Sequence, residues 1–149
     1  TNREGYGMTT LKMLLKGKGH DVWSVHPDDT VLDAIKMLAE KDIGALIVIK
    51  DDKPVGIFTE RDYARNVYLK GKSSLDTAVR DVMVAPVICV KPDKTVDECM
   101  ALMTAKRFRH LPIMDGDELV GMVSIGDLVK SVIAEQQFTI EQMEQYIHS

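Results

Sequence analysis

Residues 25–67 of the chain are echoed by residues 90–132 at a constant offset of 65 positions, with no gap. Val25-His26-Pro27-Asp28-Asp29-Thr30-Val31 returns as Val90-Lys91-Pro92-Asp93-Lys94-Thr95-Val96, and Gly56-Ile57-Phe58-Thr59-Glu60-Arg61-Asp62 as Gly121-Met122-Val123-Ser124-Ile125-Gly126-Asp127. A duplication this regular makes the repeat the unit of folding. Half of a 149-residue chain would be marginal by itself, since a unit of about 60 residues buries only about 60% of its unfolded surface. The two copies are therefore expected to bury one another.

Each copy opens with a short extended segment, Val22 to Val25 or Val87 to Val90, followed by a Pro-Asp turn. Thr30-x-x-Asp33 and Thr95-x-x-Glu98 then place a hydroxyl three residues before a carboxylate, the signature of a capped helix start, and the second pair is a capping box. Behind them Val31, Ala34, Ile35 and Leu38 recur at helical spacing, as do Val96, Cys99, Met100 and Met103, and these stripes are expected to be core. The apolar runs Leu46 to Ile49 and Leu111 to Met114 read as strands covered on both faces. Asp51-Asp52-Lys53-Pro54 and Asp115-Gly116-Asp117 supply turn chemistry, and Val55 to Phe58 and Leu119 to Val123 return as partner strands. Closing helices are expected from Tyr63 to about Leu69 and from Leu128 to about Ala134.

The fold class is thus α/β (α+β), with the unit β-α-β-β-α used twice. Residues 1–20 read as a leader or tether in which Leu11 to Leu15 form a helical turn or two; 21–69 and 86–134 are the repeats. Residues 70–85, with Gly71, Ser73 and Ser74, are a linker, and 135–149 a last amphipathic helix starting at Thr139-x-x-Gln142. That helix has either the pair or a second chain to pack against.

A composition of 45% hydrophobic and 28% charged residues belongs to an ordinary globular protein, and a net charge of −4 gives no reason to expect nucleic acid. Apolar runs such as Ala45 to Ile49 are far shorter than the ~20 residues a bilayer needs, and no basic-then-apolar signal opens the chain, so a cytoplasmic protein without a membrane partner is expected. Thr1 in place of methionine leaves room for a longer native N-terminus. Cys89 and Cys99 lack Cys-x-x-Cys spacing and read as buried free thiols.

The doubled unit, its Val-x-Pro opening and its Gly-apolar-apolar-Thr/Ser-x-x-Asp ending together resemble a CBS-domain pair, or Bateman module, over roughly Val22 to Ala134. The run Thr59 to Arg65, Gly71-Lys72-Ser73-Ser74, Arg109-His110-Leu111-Pro112 and the tail from Glu135 to Tyr146 are similar to stand-alone CBS-pair proteins of bacteria and plant organelles. The resemblance implies a regulatory module, often a disc-like homodimer, that binds adenosine-containing ligands such as AMP, ATP, NAD(H) or sometimes S-adenosylmethionine in clefts between the repeats.

A carboxylate accepts from two hydroxyls at once, so Asp62 or Asp127 suits a ribose diol, and Thr59 or Ser124 just before each helix reaches the ribose or an adjoining phosphate. Ordinary N-capping explains the same residues equally well on spacing alone. Basic residues differ between the copies. Arg109 and His110 precede a strand where the resemblance implies phosphate contacts, while Gly44 and Ala45 stand in the first copy. Arg61 and Arg65 face Gly126 and Lys130 as counterparts. A solvated charged face or a salt bridge is the alternative for all four cations. By the family pattern the base is held by the opening strand of the other repeat. The Ser124/Asp127 cleft would then take Asp21, Trp23 and Ile43, the Thr59/Asp62 cleft Pro86, Ile88 and Phe108, and Met122 joins the adenine pocket. Trp23 and Phe108 are otherwise plain core aromatics.

Gly71-Lys72-Ser73 resembles the end of a phosphate-binding loop, but Asn66 stands where its first glycine should be, and no Gly-x-Gly-x-x-Gly, zinc spacing or nucleophile elbow is present. The expectation is a non-enzymatic nucleotide sensor without a metal, acting through an effector protein still to be identified. The Asp127 cleft is expected to be the tighter for a monophosphate. The alternative is a ligand-independent dimerisation or docking scaffold.

Overall fold

A computed structural model describes residues 9–148, with the side chain of His148 excepted; residues 1–8 of the expected leader lie outside the described residues. In the first repeat β1 (Ser24–Val25) runs parallel to β2 (Ala45–Lys50), which pairs antiparallel with β3 (Lys53–Thr59). Helix α2 (Val31–Lys41) crosses from β1 to β2. Its N-cap Thr30 accepts from the Asp33 amide, and Val31, Ala34 and Leu38 are buried as their spacing predicts. The second repeat repeats this plan with α4 (Val96–Lys106), β4 (His110–Asp115) and β5 (Glu118–Ser124). The Thr95/Glu98 capping box is formed, and Val96, Cys99 and Met103 are buried. Both hairpins carry a register shift at the same place, Val48/Ile49 and Ile113/Met114. The first turns through Asp51 and Asp52, both at positive φ as a tight hairpin of that hand requires.

The opening strand of the second repeat is absent, and its chemistry explains why. Ile47 donates its amide to Trp23 O, holding β1 against β2. The counterpart of Ile47 is Pro112, which has no N–H to give. Pairing shrinks to a single parallel bridge, Val90 with Ile113. Cys99 is buried, and desolvation raises its thiol pKa to about 11; Cys89, on this loosened segment, is exposed, contrary to expectation.

The segments read as tether and linker are structural. Helix α1 (Leu11–Lys18) buries Leu11 and Leu15 in the core of the second repeat, while Val79 and Val82 from residues 70–85 are buried in the core of the first. The two segments are docked identically. Leu11 N–H donates to Lys94 O and Lys12 N–H to Pro92 O; Val79 N–H donates to Asp29 O and Arg80 N–H to Pro27 O. A Cβ on Gly121 would lie 2.8 Å from Leu15, and one on Gly56 would lie 2.6 Å from Met83. Each glycine thus opens the sheet face to the segment that precedes the other repeat. A third cluster, built on Ala45, Ile47 and Ile57 with Val87, Leu119 and Met122, joins the two repeats.

The closing helices also depart from expectation. In the first repeat α3 (Glu60–Tyr63) passes into a π-helical turn, Ala64–Tyr68. In the second, α5 (Ile125–His148) is one helix of 24 residues. Thr139 does not cap a separate helix: its hydroxyl donates to Glu135 O, one turn back within α5.

Candidate functional site

A cavity of about 920 Å³ lies between the repeats. Its floor on one side is the junction of β3 with α3. Thr59 accepts the Asp62 amide on Oγ1, and Asp62 Oδ2 accepts both the Thr59 amide and its hydroxyl at 2.9 Å, so the capping expected of these residues is realised. These bonds fall on one carboxylate oxygen. Among the described residues, Asp62 Oδ1 takes no hydrogen bond, and the carboxylate lines the cavity.

The opposite wall is the turn from α4 into β4. Arg107 is the C-cap of α4 in the left-handed conformation, which ends the helix and turns the next three residues into the cavity. Arg107, Phe108, Arg109 and His110 all line it. Ile125 N–H donates to Arg109 O at 2.9 Å, and Glu60 N–H to Gly44 O at 3.1 Å, so each strand start is tied to the helix start that faces it. The guanidinium groups of Arg107 and Arg109 line the wall opposite Glu60, Arg61 and Asp62 of α3, and the remaining wall includes Ile57, Val84 and Met103. Such a surface accepts an anion at one end and an apolar ring at the other. His110 is pushed below the ordinary histidine pKa chiefly by burial; Asp127 and Asp62 oppose the shift, and Arg109 and Lys18 reinforce it.

Of the residues singled out in the sequence, the cavity gathers Thr59, Arg61, Asp62, Phe108, Arg109 and His110. Arg65 points elsewhere, exposed on the π-helical turn. Pro86 is exposed, and Ile88 packs on the second core. Arg109 and His110 were expected to favour the Asp127 cleft, and they line the Asp62 cavity instead. Arg107 escaped notice because its counterpart is Asp42, the C-cap of α2; the Arg-x-Arg-His run before a strand was the available signal.

Around Asp127 the arrangement differs. Oδ2 accepts the Ser124 amide at 2.8 Å, and Lys18 from the last turn of α1 lies 3.5 Å from the same oxygen. Trp23 is partly exposed with Lys41 stacked 4.2 Å over its ring, Asp21 is exposed, Ile43 packs on the first core and Met122 belongs to the inter-repeat cluster.

Comparison with known proteins assigns this architecture. The CBS domain family model matches twice, at residues 19–68 and 79–134. The chain belongs to the CBS domain family. The mitochondrial CBS domain-containing protein CBSX3 of Arabidopsis thaliana is 38% identical over 96% of this chain and 74% of its own length. A solved Burkholderia ambifaria protein with CBS domains is 55% identical, covers 89% of this chain and 99% of that one, and superposes with a TM-score of 0.80. The inosine-5′-monophosphate dehydrogenase of Methanocaldococcus jannaschii is 38% identical over 74% of this CBS pair, but the match spans 21% of that enzyme. No helix among the described residues is long and apolar enough to cross a membrane.

Proposed function

We propose that this CBS pair is a non-enzymatic regulatory module whose cavity between Thr59/Asp62 and the Arg107–His110 turn takes an adenosine-containing nucleotide: AMP, ATP or NAD(H). The observation that carries the reading is the convergence, on one inter-repeat cavity, of a hydroxyl and carboxylate suited to a ribose diol with Arg61, Arg107, Arg109 and His110. Asp62 Oδ1 would accept from the ribose, the arginines would hold the phosphate, and Phe108 with Ile57 and Val84 would flank the base. A ligand held by both repeats shifts their packing only as far as it binds one arrangement better than another. The same holds for the homodimer and the effector protein expected of such a module.

Calorimetry with AMP, ATP, NAD and NADH tests it. Asp62→Ala and Arg109→Ala are each expected to weaken the bound nucleotide at least about tenfold, as loss of a charge-assisted hydrogen bond does. Asp127→Ala is expected to change binding less, the reverse of the order expected from sequence. Equal losses at Asp62 and Asp127 would count against the Asp62 cavity; no binding of any of the four would remove the reading. The ligand-independent scaffold draws support from the exposed apolar residues of α5, Phe138, Ile140, Met143 and Ile147. Saturating nucleotide separates the two, since a sensor gains about 2.7 kcal/mol of stability at a hundred times Kd and a scaffold gains none.

A further inference from the structure

The two strand starts that line the inter-repeat cavity carry opposite charges. Arg109 precedes β4, and its carbonyl accepts the amide of Ile125. The equivalent pair in the first repeat, 65 positions earlier, is Gly44 and Glu60, joined by the same bond. One copy thus presents a guanidinium beside an apolar residue, and the other an acid beside no side chain at all. A Cβ on Gly44 would lie 3.3 Å from Glu60 Oε1, so the carboxylate rests against bare backbone, and both residues line the cavity. Arg61, Arg107 and Arg109 line it too, yet neither Glu60 nor any of these arginines is in an ion pair among the described residues. Nor does Glu60 belong to the capping box, which Thr59 and Asp62 make between them. An acid in a first helical turn has an ordinary role there, but that role is indifferent to what enters the cavity.

The arginines and the acid act on a ligand's phosphates with opposite sign. A single phosphate fits against the Arg107–His110 turn. Each further terminal phosphate adds at least about one negative charge to the same cavity, where Glu60 repels it. A pyrophosphate that links two nucleosides carries about as little charge as one terminal phosphate, because both its phosphates are esters. We propose that Glu60 sets the number of phosphates the cavity accepts, favouring adenosine ligands with one terminal phosphate or a linking pyrophosphate over those ending in a triphosphate. This role presupposes that the cavity is a nucleotide site, and it narrows the ligand from AMP, ATP or NAD(H) to AMP or NAD(H).

Calorimetry with adenosine, AMP, NAD and ATP reads the selection in wild type and in Glu60→Gln, with EDTA present so that no divalent cation neutralises the phosphates. Thermal melts confirm each fold. The wild type is expected to bind ATP no more tightly than AMP. Glu60→Gln is expected to tighten ATP about tenfold and AMP and NAD about twofold, and to leave adenosine unchanged. The gain should shrink as salt is raised, as screening demands. Glu141→Gln, the same loss of charge far out on α5, is expected to change none of these affinities. AMP that binds and is weakened by Asp62→Ala, with an ATP-to-AMP ratio that Glu60→Gln does not move, overturns the role of Glu60 and leaves the nucleotide site standing. So does an equal gain in Glu141→Gln, since net charge would then account for it, and so does a wild type that binds ATP tighter than AMP. Failure of all four ligands to bind removes the site and this role together.

Discussion

His110 stands where the two halves of the site meet electrostatically. Burial lowers its pKa from the ordinary 6.5, while Asp127 and Asp62 pull it back up. Because the folded value lies below the unfolded one, the imidazole contributes nothing to the pH dependence of stability above about pH 6.5. As pH falls below that, the unfolded chain takes up the proton first and stability is lost, down to the folded pKa. Thermal melts from pH 7.5 to 5 are expected to show this decline, with a shallower slope in His110→Gln. A phosphate brought to the same cavity would reverse the preference, so nucleotide affinity should rise over the same interval in the wild type and less in the variant. Asp62 has a comparable double duty. Asp62→Ala removes half of a capping box and is expected to lower stability by about 1 kcal/mol besides its effect on binding, so a fold-only role and a binding role are separable by measuring both.

At the scale of elements, the two docked segments show what holds each repeat together. Leu15 is 1% exposed, touches the open face at Gly121 and belongs to the second core. Leu15→Ala is therefore expected to destabilise by about 2–4 kcal/mol in urea denaturation, the range for a buried leucine truncation, whereas a tether residue would tolerate it. Helix positions, hairpins, caps and core stripes were legible in the sequence because each obeys a local rule: a period, a cap spacing, a turn dipeptide. The docking of α1 was not. The main repeat runs at an offset of 65, yet the hydrogen bonds that equate Leu11 with Val79 and Lys12 with Arg80 fall at 68, so the equivalence slips past the register that reveals everything else. The missing strand before Val90 and the unbroken α5 have the same lesson in reverse. Pro112 silences a pairing its neighbours favour, and Thr139, a good N-cap residue, bonds one turn back within a continuing helix.

For the whole molecule, the candidate site was half legible. Thr59 and Asp62 could be named from the repeat, and Arg109 and His110 from the family resemblance, but which aspartate shares a cavity with which cations depends on how the repeats face each other, a non-local fact. Since walls of that cavity come from both repeats, the proposed nucleotide should slow amide exchange on both sides at once, near Thr59 and near Ile125, when followed by hydrogen exchange. Protection confined to one repeat would speak against a bridging ligand. Lys18 places the other cleft in a different position. It reaches Asp127 from a helix whose Leu11 and Leu15 are fixed in the core, so a residue outside both repeats already sets the charge at that carboxylate. An anion entering there would meet a lysine whose position is held by the packing of α1.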